Sequence, residues 1–225
     1  MYSPSSILTF LQCPFRYYLS KNYKVKLENE EVIIGKIVHK IIEEYYKNLN
    51  VKNEFEIEMK IKNIMIKNIK SHTDLEYKVS NLIRNFIKFE KERFKKNEYP
   101  ELIEKYLEYG DICGVIDYYS NGIIIDWKTG KYTMNENNII QGNIYRFLLE
   151  SNGYKVDKII FIYLDKYKKI EIKKYPNEYI LKKIRFIKEM EKSNNYPKKK
   201  SYLCNKCEFK FYCDFNEINF DSLKW

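Results

Sequence analysis

A chain of 225 residues, 44% of them apolar, can bury one sizeable core with a helical insert and is too short to need two full domains, so one domain over 1–225 is expected. No run approaches the roughly eighteen apolar residues of a membrane span, and the N-terminus lacks a basic region followed by an uninterrupted apolar one, so the expectation is a cytoplasmic protein with no membrane partner. The formal charge of +10 suits a polyanion, but Lys, Ile, Asn and Tyr are abundant together, as in AT-rich coding, and charge alone does not separate a binding surface from that bias.

Ser3 as N-cap and Pro4 at the first helical position predict an opening helix that buries Ile7, Leu8, Phe10 and Leu11 and is broken by Pro14. A second helix, from about Gly35 to Asn50, sets Val38, Ile41, Ile42, Tyr45 and Leu49 in one stripe, with His39 at its edge. Glu54 to Ile61 mixes alternation with helical spacing and is read as helix. Leu75, Val79, Leu82, Ile83, Phe86 and Ile87 continue as a clearer amphipathic helix, so 51–99 reads as a helical insert.

Beyond Pro100 the texture turns to short β-rich runs at Leu102–Tyr109, Ile112–Tyr119 and Ile123–Lys128, the last two joined by a Ser120-Asn121-Gly122 turn whose Asn and Gly tolerate positive φ. A helix around Asn137 to Ser151 follows, then strands at Lys158–Leu164 and Lys168–Lys174, then a long helix from about Glu178 to Ser193. That order predicts a mixed α/β core: a mixed sheet flanked by helices.

The densest chemistry lies in Gly114-Val115-Ile116-Asp117 and Ile123-Ile124-Ile125-Asp126-Trp127-Lys128-Thr129-Gly130. Each apolar strand ends in a carboxylate, and the period of two puts Asp126 and Lys128 on one face, roughly 7 Å apart. Phosphodiester hydrolysis pushes negative charge onto oxygens that are already anionic. Carboxylates holding a hard divalent cation offset that charge and acidify a bound water. Asp117 and Asp126 would hold the metal, and Lys128 would position the water or stabilise the developing charge. The plain alternative is a strand-end salt bridge.

Five cysteines without a secretory signal argue for metal binding or inert burial rather than disulfides. Cys204-x-x-Cys207 can grip one metal centre and Cys213 can close around it, but a complete site needs a fourth ligand, and spacing does not separate zinc from an iron-sulfur cluster. Cys113, before Asp117, reads as a buried hydrophobe.

Gly-Val-Ile-Asp followed by Asp-Trp-Lys-Thr-Gly resembles the catalytic core of RecB-like nucleases in the PD-(D/E)XK superfamily. The likeness extends to Gly35-Lys36-Ile37-Val38-His39, similar to a G-x-x-x-H helix whose histidine ligates metal, and to Gln141 and Tyr145, similar to a Q-x-x-x-Y helix. It covers the first fifty residues and Glu104 to Cys213. The resemblance implies a PD-(D/E)XK fold, catalytic roles for Asp117, Asp126, Lys128, Gln141 and Tyr145, and a metal site of His39, Asp117 and Asp126. Because imidazole favours softer metals, Mn²⁺ joins Mg²⁺ as an expected activator. Glu104 sits where many relatives carry an extra acid and is a weaker candidate.

Gln12-Cys13-Pro14-Phe15-Arg16-Tyr17 is similar to the segment that supplies the distant ligand in iron-sulfur members, implying a [4Fe-4S] cluster on Cys13, Cys204, Cys207 and Cys213 that staples the segment 200–215 to the N-terminus. The likeness is greatest to CRISPR-associated RecB-like nucleases, which act on DNA as single-strand exonucleases and endonucleases in spacer processing; viruses and mobile elements carry relatives. The implied partners are DNA, single-stranded favoured, and spacer-integration proteins or a helicase. No G-x-x-x-x-G-K-[ST] motor motif occurs in the chain. A non-catalytic iron-sulfur DNA-binding or scaffolding subunit, and an RNA-directed nuclease, are the alternatives.

Overall fold

The computed structural model describes residues 1–23, 25, 29–132 and 135–214. The chain divides into two compact units, one made of Met1–Leu27, Gly110–Cys113 and Tyr175–Trp225, the other of Glu28–Tyr109 and Gly114–Lys174.

In the first unit, helices α1 (Pro4–Gln12) and α2 (Pro14–Asn22) meet at Cys13, which ends one and caps the other. Pro14 does break the first helix, as its missing N–H and ring demand, but it also opens a second at the position where proline is well suited. That second helix is a feature the sequence reading missed. Phe10 is fully buried, with ring centroids 5.2 Å from Tyr17 and 6.0 Å from Phe186 of the later helix α7 (Asn177–Lys192). Glu191 of α7 accepts hydrogen bonds from Tyr2, from Tyr17 at 2.7 Å and from Lys21 at 2.6 Å, so one carboxylate ties three N-terminal side chains to the C-terminal helix. A 3₁₀ turn at Tyr202–Lys206 and the short α8 (Lys210–Asp214) complete the described part.

The second unit holds α3 (Glu30–Lys47), α4 (Glu54–Ile69), α5 (Glu76–Lys95), α6 (Glu136–Ser151) and most of a five-stranded sheet. The strands are β1 (Leu102–Tyr109), β2 (Ile112–Ser120), β3 (Ile123–Lys128), β4 (Lys158–Tyr163) and β5 (Lys168–Glu171), in sheet order β1-β2-β3-β4-β5. The ambiguous stretch from Glu54 is helical, and β5 stops three residues before the expected Lys174.

β2 and β3 pair antiparallel through the expected tight turn, where Asn121 has φ 47° and Gly122 φ 77°. Gly122 is doubly constrained, because a Cβ there would come 2.5 Å from an oxygen of Asp157. β3 and β4 are parallel, so the chain must cross over between them, and α6 is that crossover.

Alternation along β3 sorts its side chains. Ile125 and Trp127 join Tyr118, Ile162 and Leu164 in the core formed with α3, α4 and α5. Ile124, Asp126 and Lys128 take the opposite face, where α6 lies so close that a Cβ on Gly142 would meet Ile159 at 3.0 Å and Ile172 at 3.1 Å. Trp127 is edge-packed by Phe86 and Phe89 of α5, with centroids 5.4 and 4.7 Å away. The same helical layer buries an ion pair, Glu90 with Arg93, at 3.0 Å, and Tyr46 of α3 donates to Glu90. Desolvation raises the Glu90 carboxyl and Arg93 opposes it.

Removing one partner of so buried a pair strands the other charge. Arg93→Met should therefore cost about 3–5 kcal/mol in urea unfolding, and adding Glu90→Leu should recover most of that loss. Equal stability of the single and double variants would contradict the account.

Candidate active site

Five elements of the second unit, α3, β1, β2, β3 and α6, bring the site together. α3 starts at Asn29, whose side chain accepts the Val32 N–H at 3.0 Å, and presents His39 near its middle. Gly35, one turn before His39, faces Thr129, which a Cβ would meet at 3.3 Å, so the small residue lets the segment after β3 pass close to the helix. β1 supplies Glu104, which has φ 43° within a strand. A non-glycine residue in the left-handed region is strained, and such strain re-aims a side chain out of simple alternation.

The side chain so directed completes a cluster. Glu104 Oε1 lies 3.2 Å from His39 Nδ1, and Asp117 Oδ2 lies 3.6 Å from it. Among the described residues, His39, Glu104 and Asp117 are the group whose metal-ligating atoms all lie within 4.8 Å of one another. His39 Nε2 is 3.2 Å from the Trp127 carbonyl oxygen, which only accepts, so Nε2 carries the proton. In the neutral ring, Nδ1 then turns its lone pair toward two carboxylates. Three acceptors facing one point require a positive charge between them.

The electrostatics agree. Burial, then the neighbouring charge of Asp126, push the Asp117 carboxyl up to about 8, against the opposing effect of His39. Burial disfavours charge on His39, but the Glu104 hydrogen bond and the charges of Asp117, Glu104 and Asp126 outweigh it and raise the imidazole to about 9. Asp117 and Asp126 are 7% and 3% exposed, so water does little to screen them. A divalent cation fits this donor set, since it would supply the charge that protons otherwise provide.

The second half of the site is built on β3 and α6. Lys128 Nζ lies 2.6 Å from Asp126 Oδ2 and donates to Gln141 Oε1 at 2.7 Å. Gln141 Nε2 in turn donates to the Tyr145 hydroxyl at 2.9 Å and lies 3.4 Å from Asp126 Oδ1. Burial, then the Asp126 and Asp117 charges, push the Tyr145 phenol well above its ordinary value, so it stays a neutral hydroxyl. Gln141 and Tyr145 thus organise Lys128 and Asp126, and Tyr145 is too buried, at 7% exposure, to offer a broad face to a ligand.

The residues expected at the nuclease-like centre, His39, Asp117, Asp126, Lys128, Gln141 and Tyr145, lie together in the structure, and Glu104 lies with them. His39, Glu104 and Asp117 bring their ligating atoms together, while Asp126 lies beside them with its Oδ2 2.6 Å from Lys128 Nζ yet buried without a hydrogen-bond partner among the described residues. Trp127 went unrecognised by sequence: its N–H donates to Asp117 Oδ2 at 3.0 Å and its carbonyl anchors His39. No side-chain pattern signals a role played by backbone atoms.

In the first unit, Cys13, Cys204, Cys207 and Cys213 line one cavity of about 600 Å³. Cys13 Sγ accepts the Arg16 N–H at 3.5 Å and Cys204 Sγ accepts the Ser201 N–H at 3.3 Å. Arg16 and Glu208 bridge the same segments at 2.9 Å. Cys113 is half-buried rather than the buried hydrophobe expected; it sits near the start of β2 beside the bridge of Tyr2 with Ile112.

If His39, Glu104 and Asp117 hold the cation, His39→Ala and Glu104→Gln should each weaken Mn²⁺ binding, measured by calorimetry, by about 10–100-fold or more with little change in melting temperature. Unaltered Mn²⁺ affinity in both variants would remove this set as the metal site.

No curated protein sequence matches the chain. Among solved structures, a candidate exonuclease from Eubacterium rectale is 13% identical over 98% of this chain and 91% of its own, with a TM-score of 0.54, which marks a shared fold. The crystal structure of SSO0001 is 16% identical over 83% of this chain and 98% of its own, with a TM-score of 0.39. The family model of the PD-(D/E)XK nuclease superfamily matches residues 1–214, nearly the whole sequence. With that match, and with carboxylates, histidine and lysine gathered at one end of a mixed sheet, the chain belongs to the PD-(D/E)XK nuclease superfamily.

Proposed function

We propose that the protein is a divalent-cation-dependent DNA nuclease, acting foremost as an exonuclease on single-stranded DNA, with endonuclease activity as a further capacity. The observation that carries this reading is the convergence of His39, Glu104 and Asp117 beside the Asp126–Lys128 pair. His39, Glu104 and Asp117 would hold Mn²⁺ or Mg²⁺, which when bound offsets charge on the phosphate and acidifies water.

The remaining work falls to the chain's own groups. Lys128 is a fixed positive charge at the site, locked by Asp126 and Gln141, so it can orient a water or meet negative charge developing on phosphate oxygens without rearranging. Asp126 holds that ammonium and adds to the negative field at Asp117, which strengthens the demand for a cation. Trp127, through its N–H and carbonyl, fixes the directions of Asp117 and His39. A scaffold without chemistry has no use for a buried carboxylate overload of this kind.

Lys128→Ala should lower Mn²⁺-dependent cleavage of a labelled single-stranded oligonucleotide by about 10²–10³-fold, and Asp126→Ala should abolish it, both with the fold and most of the oligonucleotide affinity retained. Cleavage at the wild-type rate in either variant would refute the assignment. Matched RNA and DNA strands separate the sugar preference, and adjacent spacer-integration or helicase genes would separate a CRISPR role from that of a mobile element.

The cysteine cavity supports a second component of the proposal, a [4Fe-4S] cluster on Cys13, Cys204, Cys207 and Cys213. Four thiols line one space, and two of the sulfurs accept backbone N–H bonds, as cluster-bound sulfurs commonly do. Its role would be that of a staple, since Cys13 and Cys204 are separated by almost the whole chain and joining them restricts the unfolded ensemble. Anaerobically purified protein should be brown and contain iron with acid-labile sulfide. Replacing any of the four cysteines should remove the colour and lower the melting temperature, whereas Cys113→Ser should keep both. Stoichiometric zinc without sulfide would replace the cluster by a zinc staple, and the absence of both metals would reject the staple.

A further inference from the structure

The strand register carries the site beyond Lys128. Lys128 on β3 stands opposite Tyr163 on β4, and Tyr163 stands opposite Lys168 on β5. Directly opposed residues of neighbouring strands share a sheet face, so Lys128, Tyr163 and Lys168 form one row across three strands. Strands are roughly 4.8 Å apart, which places the far end of the row about 10 Å from its start.

Tyr132, from the segment that follows β3, closes the row. Its ring meets Tyr163 edge-on with centroids 5.2 Å apart, and Lys168 Nζ lies 3.6 Å from the centre of the Tyr132 ring. The two ends of the row are held by one helix: Asn138 of α6 donates to the Tyr163 hydroxyl at 2.7 Å, and Gln141, three residues on, accepts from Lys128. Residues i and i+3 share a helix face, so α6 sets the catalytic lysine and the neighbouring aromatic pair together.

The charges on this row are unequal in a telling way. Lys169, on the opposite face of β5, is paired with Glu92 at 2.8 Å. Among the described residues Lys168 has no carboxylate partner, and neither do the exposed Lys131 and Lys166 on the adjoining segments; Asp165, in the same turn as Lys166, forms no ion pair with them. An ammonium resting on an aromatic face keeps its N–H donors for an anion, and the ring limits the positions it samples.

We propose that Lys168, positioned by Tyr132, is a backbone subsite that binds a phosphate of the nucleic-acid strand next to the one at Lys128. This rests on the nuclease reading and names how that site would grip its substrate. Tyr132 acts through Lys168 and is a positioning residue.

The test uses the full-length protein and fluorescein-labelled oligothymidylate, with affinity measured by anisotropy in chelator, so that binding is read without cleavage, and steady-state cleavage measured separately with Mn²⁺. Lys168→Ala should weaken binding about tenfold and reduce the slope of log affinity against log salt by about 0.7, the loss expected for one phosphate contact on a single strand. It should raise KM with kcat within about twofold, as removal of uniform binding does. Lys168→Arg and Tyr132→Phe should behave as wild type, Tyr132→Ala should reproduce much of the loss, and Lys169→Ala should change nothing. Unchanged affinity and salt slope in Lys168→Ala, or an equal loss in Lys169→Ala, would overturn the subsite. Wild-type protein that binds but never cleaves, while still losing affinity on Lys168→Ala, would overturn the nuclease reading and support the subsite.

Discussion

Much of the site hangs on the backbone of Trp127. Its N–H donates to Asp117 and its carbonyl oxygen meets the His39 imidazole, so one residue on β3 orients side chains from β2 and α3. The indole anchors this arrangement from the other face of the sheet, packed among Phe86, Phe89 and Tyr118. Because β3 alternates, the same three residues put Trp127 into the helical core and Asp126 and Lys128 into the site. Core packing and catalytic geometry are therefore one construction.

The charge pattern explains why so elaborate a support is present. Several carboxylates and an imidazole acceptor, buried against each other, oppose folding unless a proton or cation intervenes. The helical layer stabilises the element that carries His39: α3 also contributes Tyr46, which donates to the buried Glu90–Arg93 pair, and α5 sends Asn85 to the Leu164 carbonyl at 2.6 Å, just beyond β4. The insert, which by sequence carries no chemistry of its own, thus acts on the site by holding its walls. Gln141 and Asn138 do the same from the other side of the sheet.

The first unit follows a different logic. Its described core is small, built on Phe10, Tyr17 and Glu191 with partners from both ends of the chain. The Arg16–Glu208 pair adds a further tie between the same two ends, beside the cavity that Cys13, Cys204, Cys207 and Cys213 line. Contacts between segments so distant in sequence close long loops, which a unit with limited apolar surface must offset with several such ties.

Features that depend on local periodicity were legible in the sequence by itself. The alternation of Ile123 to Lys128 gave Asp126 and Lys128 a common face, Asn121-Gly122 announced the hairpin, Ser3 and Pro4 announced α1, and the spacing of Cys204, Cys207 and Cys213 marked three thiols that line one cavity. Three-dimensional closure decided the rest. Glu104 enters the cluster from a left-handed backbone position inside a strand, which side-chain pattern does not encode. The link from Lys128 to Gln141, and from Gln141 toward Asp126, forms only when α6 packs closely on the sheet at Gly142. Trp127 reads as an ordinary core residue, since its N–H and carbonyl are common to every non-proline residue and acquire a role only when α3 and β2 are packed beside them. The row from Lys128 to Lys168 exists through strand register alone, between residues forty apart, where no short-range period reaches.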